Sequence, residues 1–494
     1  MVGVPRSTGC QLCRRRRVKC DEVRPECGNC RKYGADCPGY ARGIKFVSGK
    51  HAIRPRTKTG NREGRELSKE ASPFSAAAAA SRASASRSSR ASPPTSESTI
   101  STLSRSPRPN RAEFVSTIVA SVKADISKAD ISGFLSWCDM DKLGVKAVLD
   151  GAMCSLALHL VGKENEDESM VAHSRTIYGH SLGQLQTSLR HETEWKTSET
   201  LCAAMLLCIF ELFAGTNSSD SWLLHARGIG TLIEQRGPNA HSEGWDASMI
   251  LAFRGVLIMC DMFFPSGEGC FLSRPEWKPI VRDGGRHLIH PAAHLVSTIH
   301  VIDEFFERLA EIPSVLAPTF VLRESKTMGT LQQPDDVEIA SLALRSIEYR
   351  RLFNAWYDKF TTIAPLPYDI PSQDPDSPFD FVLQYNMSWM GSMYIGYWAC
   401  LLILQEALVQ CEWPEEFEQS RGELVRKILR SIETVGAGTM GPYRVGFGIR
   451  IAYELASAEL QLWVRRVLDR FKKTYAATDK STYPAPRTDD GGYS

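Results

Sequence analysis

Along most of the chain, apolar residues recur every three or four positions. Ala452, Ala456, Leu460, Val464, Val467 and Phe471 fall on one stripe of a helix. Trp222, Ala226, Ile229 and Ile233 share another face, which follows the cap-like "NSSDS" and is stopped by Gly237 and Pro238. Gly228 and Gly230 fall in the middle of that second helix, where each costs up to ~1 kcal/mol relative to alanine, so a close helix contact or a break is expected there. Period-two alternation, the sign of strands, is scarce. The pattern predicts one large all-α domain over residues 111–473 and a polar, disordered tail over 474–494.

Before residue 111 the periodicity stops. Residues 48–110 are rich in Ser, Ala, Arg and Pro, and "SAAAAASRASASRSSRASPPTSESTISTLSRSPRPN" has too little apolar surface to offset its ordering entropy. The stretch reads as a disordered, solvated tether, without a heptad register over 41–110; Ser92 and Ser106, each followed by Pro, are its candidate phosphorylation positions. Two segments are apolar enough to compare with a membrane span. "LCAAMLLCIFELF" (201–213) is too short, and the 25-residue "FVLQYNMSWMGSMYIGYWACLLILQ" (381–405) carries Gln384, Asn386, Ser388 and Ser392 without flanking basic residues. Both read as buried core helices, so no membrane is expected as a partner.

Charge changes the picture at one end. Residues 1–110 hold 23 Lys and Arg against 8 Asp and Glu, an excess of +15, so with a net charge of +2 for the whole chain the other 384 residues carry −13. A basic head on an acidic body points to a polyanionic partner at that head. Six of the 14 cysteines lie there, between Cys10 and Cys37, while the other eight are scattered from Cys138 to Cys411 without metal-like pairing. The opening "MVGVPRSTG" lacks the apolar stretch of a signal peptide, and in a reducing compartment clustered thiols more often hold metal than each other.

The six form C-x2-C-x6-C-x6-C-x2-C-x6-C from Cys10, Cys13, Cys20, Cys27, Cys30 and Cys37, an internal repeat in which each half offers three thiolates. Three is one short of a tetrahedral zinc site. If one cysteine of each half bridges two metals, six thiolates give two Zn2+ ions four sulfurs each. Three disulfides satisfy the count but not the compartment, and an iron–sulfur cluster leaves two thiols without a role. The halves differ in charge: "RRRRVK" follows Cys13 and "RKYGAD" follows Cys30, so the first half is the one to face a nucleic acid. A short helix from Cys13 to Lys19 can enter the major groove, where Arg reads guanine O6 and N7 in a bidentate manner.

"CQLCRRRRVKCDEVRPECGNCRKYGADCPGY", with "GIKFV" after it, resembles the zinc binuclear cluster domain of fungal transcription factors over residues 10–47. The resemblance implies that Cys10 and Cys27 bridge the two zincs, that Pro25 shapes the loop between the halves, and that Arg17, with Arg16 beside it, reads a CGG-like triplet. Arg14, Arg15 and Lys19 then contact phosphates, which position without specifying. The segment 197–238, through "LCIFELFAG" and "WLLHARG…LIEQRGP", resembles the all-helical fungal-specific transcription factor domain, extending loosely over 111–473. The expected architecture is a small zinc-stapled binuclear cluster domain (1–47) and a large all-α helical regulatory domain (111–473), joined by a disordered linker. The expected function is nuclear, sequence-specific regulation of RNA polymerase II transcription. The partners are double-stranded DNA, a second copy through the helical domain, and co-regulators or the transcription machinery.

Two other motifs offer different chemistry. "GHSLG" (179–183) fits the G-x-S-x-G nucleophile elbow of α/β-hydrolases, with Ser181 as nucleophile and the basic head merely localising an enzyme. That elbow needs a buried strand before it, whereas "ESMVAHSRTIY" has helical spacing. "HLIHPAAH" sets His287, His290 and His294 at helix-like spacing, but Pro291 interrupts it and no acidic partner is evident; these and His225 read as structural histidines.

Overall fold

The apolar stripes become helices in a computed structural model. It describes residues 12, 13, 16, 18–21, 27–34 and 37 near the start and, apart from 136, 216–220, 264–268, 284–297, 329–334 and 415, residues 135–486. The chain divides into two units, Met1–Ser89 and Arg90–Ser494. The tether expected at 48–110 lies outside the described residues, as do Ser92 and Ser106. In the first unit α1 (Gly28–Tyr33) is a short helix, N-capped by Cys27 and closed by Gly34, whose φ of 72° suits a residue without a Cβ.

Among the described residues of the second unit, the first α-helices form a hairpin, α2 (Ala147–Glu164) and α3 (Glu168–Arg190), against which α4 (Ser198–Ala214) packs. Every residue of α4 from Thr200 to Phe213 is buried, which accounts for its continuous apolar run. Its one buried carboxylate, Glu211, accepts the Tyr178 hydroxyl of α3, and the Tyr178 ring stacks on Phe210 with centroids 4.4 Å apart. Next comes α5 (Ser221–Arg236), which buries Trp222, Ala226, Ile229 and Ile233 as the stripe predicts and ends at Gly237, φ 80°. Neither glycine breaks it: a Cβ on Gly230 would make only ordinary contacts at 3.7 Å with Leu257 and Phe271, and one on Gly228 would meet nothing.

Then follow α6 (Gly244–Phe263), α7 (Lys278–Asp283), α8 (Ile299–Leu309), α9 (Pro313–Met328) and α10 (Asp336–Ile363). A hairpin of β1 (Tyr368–Pro371) and β2 (Phe381–Gln384) comes next, with Tyr368 opposite Gln384 and Pro371 opposite Phe381. The segment 381–405, expected as one helix, opens as β2 and becomes helical only in α11 (Ser388–Gln410). Among the described residues α11 is the one helix long and apolar enough to cross a membrane, but 83% of its most apolar window is buried, packed among α9, α10, α12 (Arg421–Arg430) and α14 (Gly441–Leu455). Between the last two lies the single turn α13 (Ile432–Val435).

The stripe from Ala452 to Phe471 belongs to two helices rather than one. The chain turns extended at Ala456, and Ser457 starts α15 (Ala458–Phe471) by accepting the Leu460 N–H. A serine in the right place outweighs an unbroken apolar period because it satisfies an end that a continuous helix would not have. The polar stretch expected to be disordered from 474 is packed through Pro486. Tyr475 is 5% exposed and meets Phe213 edge-on at 5.1 Å, Tyr483 meets Tyr453 at 5.2 Å, and the Tyr453 hydroxyl donates to the Pro484 carbonyl at 2.9 Å. Two tyrosines, Tyr475 and Tyr483, spread among polar residues give no helical period, yet each packs its ring against the helices.

Candidate metal centre

In the first half of the head, Leu12 and Cys13 are helical; the Arg16 N–H donates to Leu12 at 2.9 Å and the Val18 N–H to Cys13 at 3.1 Å. From Val18 to Cys20 the chain is no longer helical, so the helix expected to reach Lys19 stops sooner. The Val18 bond reaches back five residues rather than four as the chain leaves the helix before Cys20. In the second half α1 carries Cys30, and the Cys30 N–H donates to Cys27 Sγ at 3.3 Å, a contact that favours a thiolate.

The sulfurs converge in two groups. Cys13, Cys20 and Cys27 lie within 4.8 Å of one another, and so do Cys27, Cys30 and Cys37. Cys27 belongs to both and is fully buried, as are Cys13 and Cys30. Cys13 Sγ and Cys27 Sγ are 3.6 Å apart, close to the spacing of about 3.8 Å for two sulfurs held ~2.3 Å from one tetrahedral zinc. The donor set therefore fits two zinc ions, with Cys27 placed to serve both. Cys10, Pro25, Arg14, Arg15 and Arg17 lie outside the described residues.

Two further contacts join the halves. Asp21 Oδ2 accepts the Gly28 N–H at 2.8 Å, and Asn29 donates its side-chain amide to the Lys19 carbonyl. A Cβ at Gly28 would stand 2.5 Å from Asp21 Oδ2, so a glycine is what lets that bond form. The Arg16 guanidinium carbon lies over the Tyr33 ring, 3.4 Å from its centroid, with Arg16, Val18 and Lys19 all exposed. Asp21, Asn29 and Tyr33 are the residues that reading the spacing missed. The signal for Tyr33 was the repeat itself, because Tyr33 stands where Arg16 stands in the other half.

The body offers no second centre among its described residues. Burial, then the Asp150 charge, pushes the Cys154 thiol up to about 12, and burial, then Asp261, does the same to Cys260. Thiols held protonated are poor ligands. Cys138 and Cys202 have their sulfurs 3.5 Å apart, with Cys202 raised chiefly by burial. Ser181 sits inside the continuous α3, 1% exposed, donating to the Ile177 carbonyl at 3.0 Å; no strand-to-helix turn is present there and the elbow reading falls. His287, His290 and His294 lie outside the described residues, and the half-buried His225 is held below the usual imidazole range by burial, against the opposing charge of Glu211.

Residues 8–45 match the family model of the fungal Zn(2)-Cys(6) binuclear cluster domain, and residues 98–257 that of the fungal specific transcription factor domain. An uncharacterized protein of Emericella nidulans is 30% identical over 219 residues, 43% of this chain and 46% of that relative. Transcriptional regulatory protein moc3 of Schizosaccharomyces pombe is 44% identical over 48 residues, 10% of this chain and 9% of its own. Sterol uptake control protein 2 of Candida albicans is 66% identical over 32 residues, 6% of this chain and 4% of its own. The chain thus spans less than half the length of these curated relatives. No solved structure matches it.

Proposed function

We propose that this chain, which carries a two-zinc, six-cysteine binuclear cluster domain and a helical fungal specific transcription factor domain rather than those of an enzyme, is a nuclear, sequence-specific DNA-binding regulator of RNA polymerase II transcription. The observation that supports it best is the pair of sulfur groups sharing Cys27, set beside the most basic run of the chain. The ions supply cross-links that a head with so little apolar surface cannot supply for itself. Cys10 completes the set as the second bridge.

Within this reading, the residues after Cys13 do the recognition. Arg17 reads a guanine of a CGG-like triplet through O6 and N7, Arg16 works beside it, and Arg14, Arg15 and Lys19 hold phosphates. A relative named a transcriptional regulatory protein, 44% identical over 48 residues, is consistent with this. The helical body carries a second copy of the chain or co-regulators.

Selection of bound duplexes from a random pool with the full chain is the direct test. An enriched triplet is expected, one copy for a monomer and two at fixed spacing for a dimer. Chelation of zinc should abolish binding; equal binding by the metal-free chain would overturn the reading. Arg17→Ala should relax base preference, whereas Lys19→Ala should weaken all duplexes alike and lower the salt slope by about one.

A further inference from the structure

The two halves of the head are related by a shift of 17 residues, which takes Cys10, Cys13 and Cys20 onto Cys27, Cys30 and Cys37. The same shift takes Arg16 onto Tyr33. These two equivalent side chains are stacked on each other, guanidinium carbon 3.4 Å from the ring centroid. Each stands three residues beyond a buried cysteine, Cys13 or Cys30. Tyr33 closes α1, whose N-terminus is capped by Cys27 Sγ and whose C-terminus is locked by Gly34 donating to the Arg31 and Cys30 carbonyls. The ring is therefore a platform anchored at both ends of its helix, although 57% of its surface is exposed.

An arginine stacked this way keeps its charge but loses its freedom. Its long side chain normally samples many rotamers, and a planar guanidinium held against a ring keeps its N–H edge, the edge that forms bidentate bonds, facing outward. Fixed orientation adds less to a phosphate contact, which can be made from several directions and carries no sequence information, than to reading a base edge. The asymmetry of the repeat gains a cause: one half carries Arg16, a reading side chain that works beside Arg17, and at the equivalent place the other carries its brace.

We infer that Tyr33 is a positioning residue for base recognition, holding Arg16 as a pre-oriented donor to a guanine edge of the bound duplex. The inference rests on the DNA-binding reading above. Tyr33 reaches the nucleic acid only through Arg16, so its loss shows in discrimination rather than in general affinity.

The test uses the full zinc-loaded chain with Tyr33→Leu, Tyr33→Gln and Tyr33→Phe. Each is checked for two zinc ions by metal analysis, then measured on the selected duplex, on its single-base variants and on an unrelated duplex at one salt concentration. Removing the ring should cut discrimination at one base position about five- to tenfold while affinity for the unrelated duplex stays within about twofold. Tyr33→Phe should keep discrimination, and Arg16→Ala combined with Tyr33→Leu should discriminate no worse than Arg16→Ala alone. Unchanged discrimination in Tyr33→Leu and Tyr33→Gln, equal weakening on every duplex, or additive effects in the double variant would each overturn the brace while leaving DNA binding intact. Failure of the unaltered chain to bind any duplex in a zinc-dependent way would overturn the functional reading and the brace together.

Discussion

His159 lies 1% exposed between α2 and α4, edge-on to Phe210 at 5.2 Å, and its imidazole is lowered to about 4 by burial and then by the charges of Lys163 and Arg175. His241 is lowered to about 4 as well, by burial and then Arg236, against the opposing pull of Asp246, whose Oδ1 is 3.9 Å away. An unfolded imidazole titrates at 6.5. Between 6.5 and 4 the unfolded chain binds protons that the folded one refuses. The contribution of each residue is therefore whole above 6.5 and drains away as pH falls toward 4, by up to about 1.4 kcal/mol per pH unit. Thermal unfolding followed from pH 7 to pH 4.5 should show this loss, and His159→Phe should flatten the slope by one proton's share. Neither histidine was distinguishable in the sequence from His225 or the "HLIHPAAH" group, because burial is a property of the assembled helices. The convergence of Cys13, Cys20, Cys27, Cys30 and Cys37 was legible because their spacing is local, whereas the contact between Arg16 and Tyr33 crosses the repeat.

Between elements, α2 and α3 approach so closely at one point that only a glycine fits. A Cβ on Gly151 would stand 2.3 Å from Ser181 Oγ but 3.4 Å from Ser181 Cβ, so the obstacle is the hydroxyl alone. Gly151→Ala should destabilise the body by about 1–3 kcal/mol, and adding Ser181→Ala should recover most of that loss; denaturant unfolding of the two single variants and the double measures the coupling. The serine that resembled a nucleophile is thus a spacer between helices. Amphipathic elements such as α5 were legible from their stripes. The junction between α14 and α15 was not, because Ala456 keeps the apolar period while the Ser457 cap interrupts the helix. The hairpin was hidden for a related reason: its short strands are tied by Arg430, which donates to the Phe381 carbonyl at 2.8 Å and to Asp369 at 2.6 Å, rather than by an alternating apolar face. Pro318 lies inside α9 without breaking it, and the Ser314 carbonyl that a proline cannot serve accepts from Arg345 of α10 at 3.3 Å.

Across the whole body, the last described residues close onto the first helices. Tyr475 of the terminal stretch packs on Phe213 of α4 and faces Tyr443 of α14 at 6.4 Å, while Ala476 sits over Gly215, where a Cβ would come within 2.6 Å of it. Tyr475→Ala should therefore lower the stability of the body by about 3 kcal/mol, read as a fall in its unfolding midpoint with zinc content unchanged. The closure also has a consequence for synthesis. A ribosome makes α4 some 260 residues before it makes the tyrosine that covers Phe213, so the helical body cannot complete its packing until nearly all of the described chain has emerged. The head needs nothing later than Cys37 to gather its six thiols. The nascent protein can thus carry a finished zinc head on an unfinished body, whose apolar helices remain substrates for chaperones until the tyrosine strap arrives.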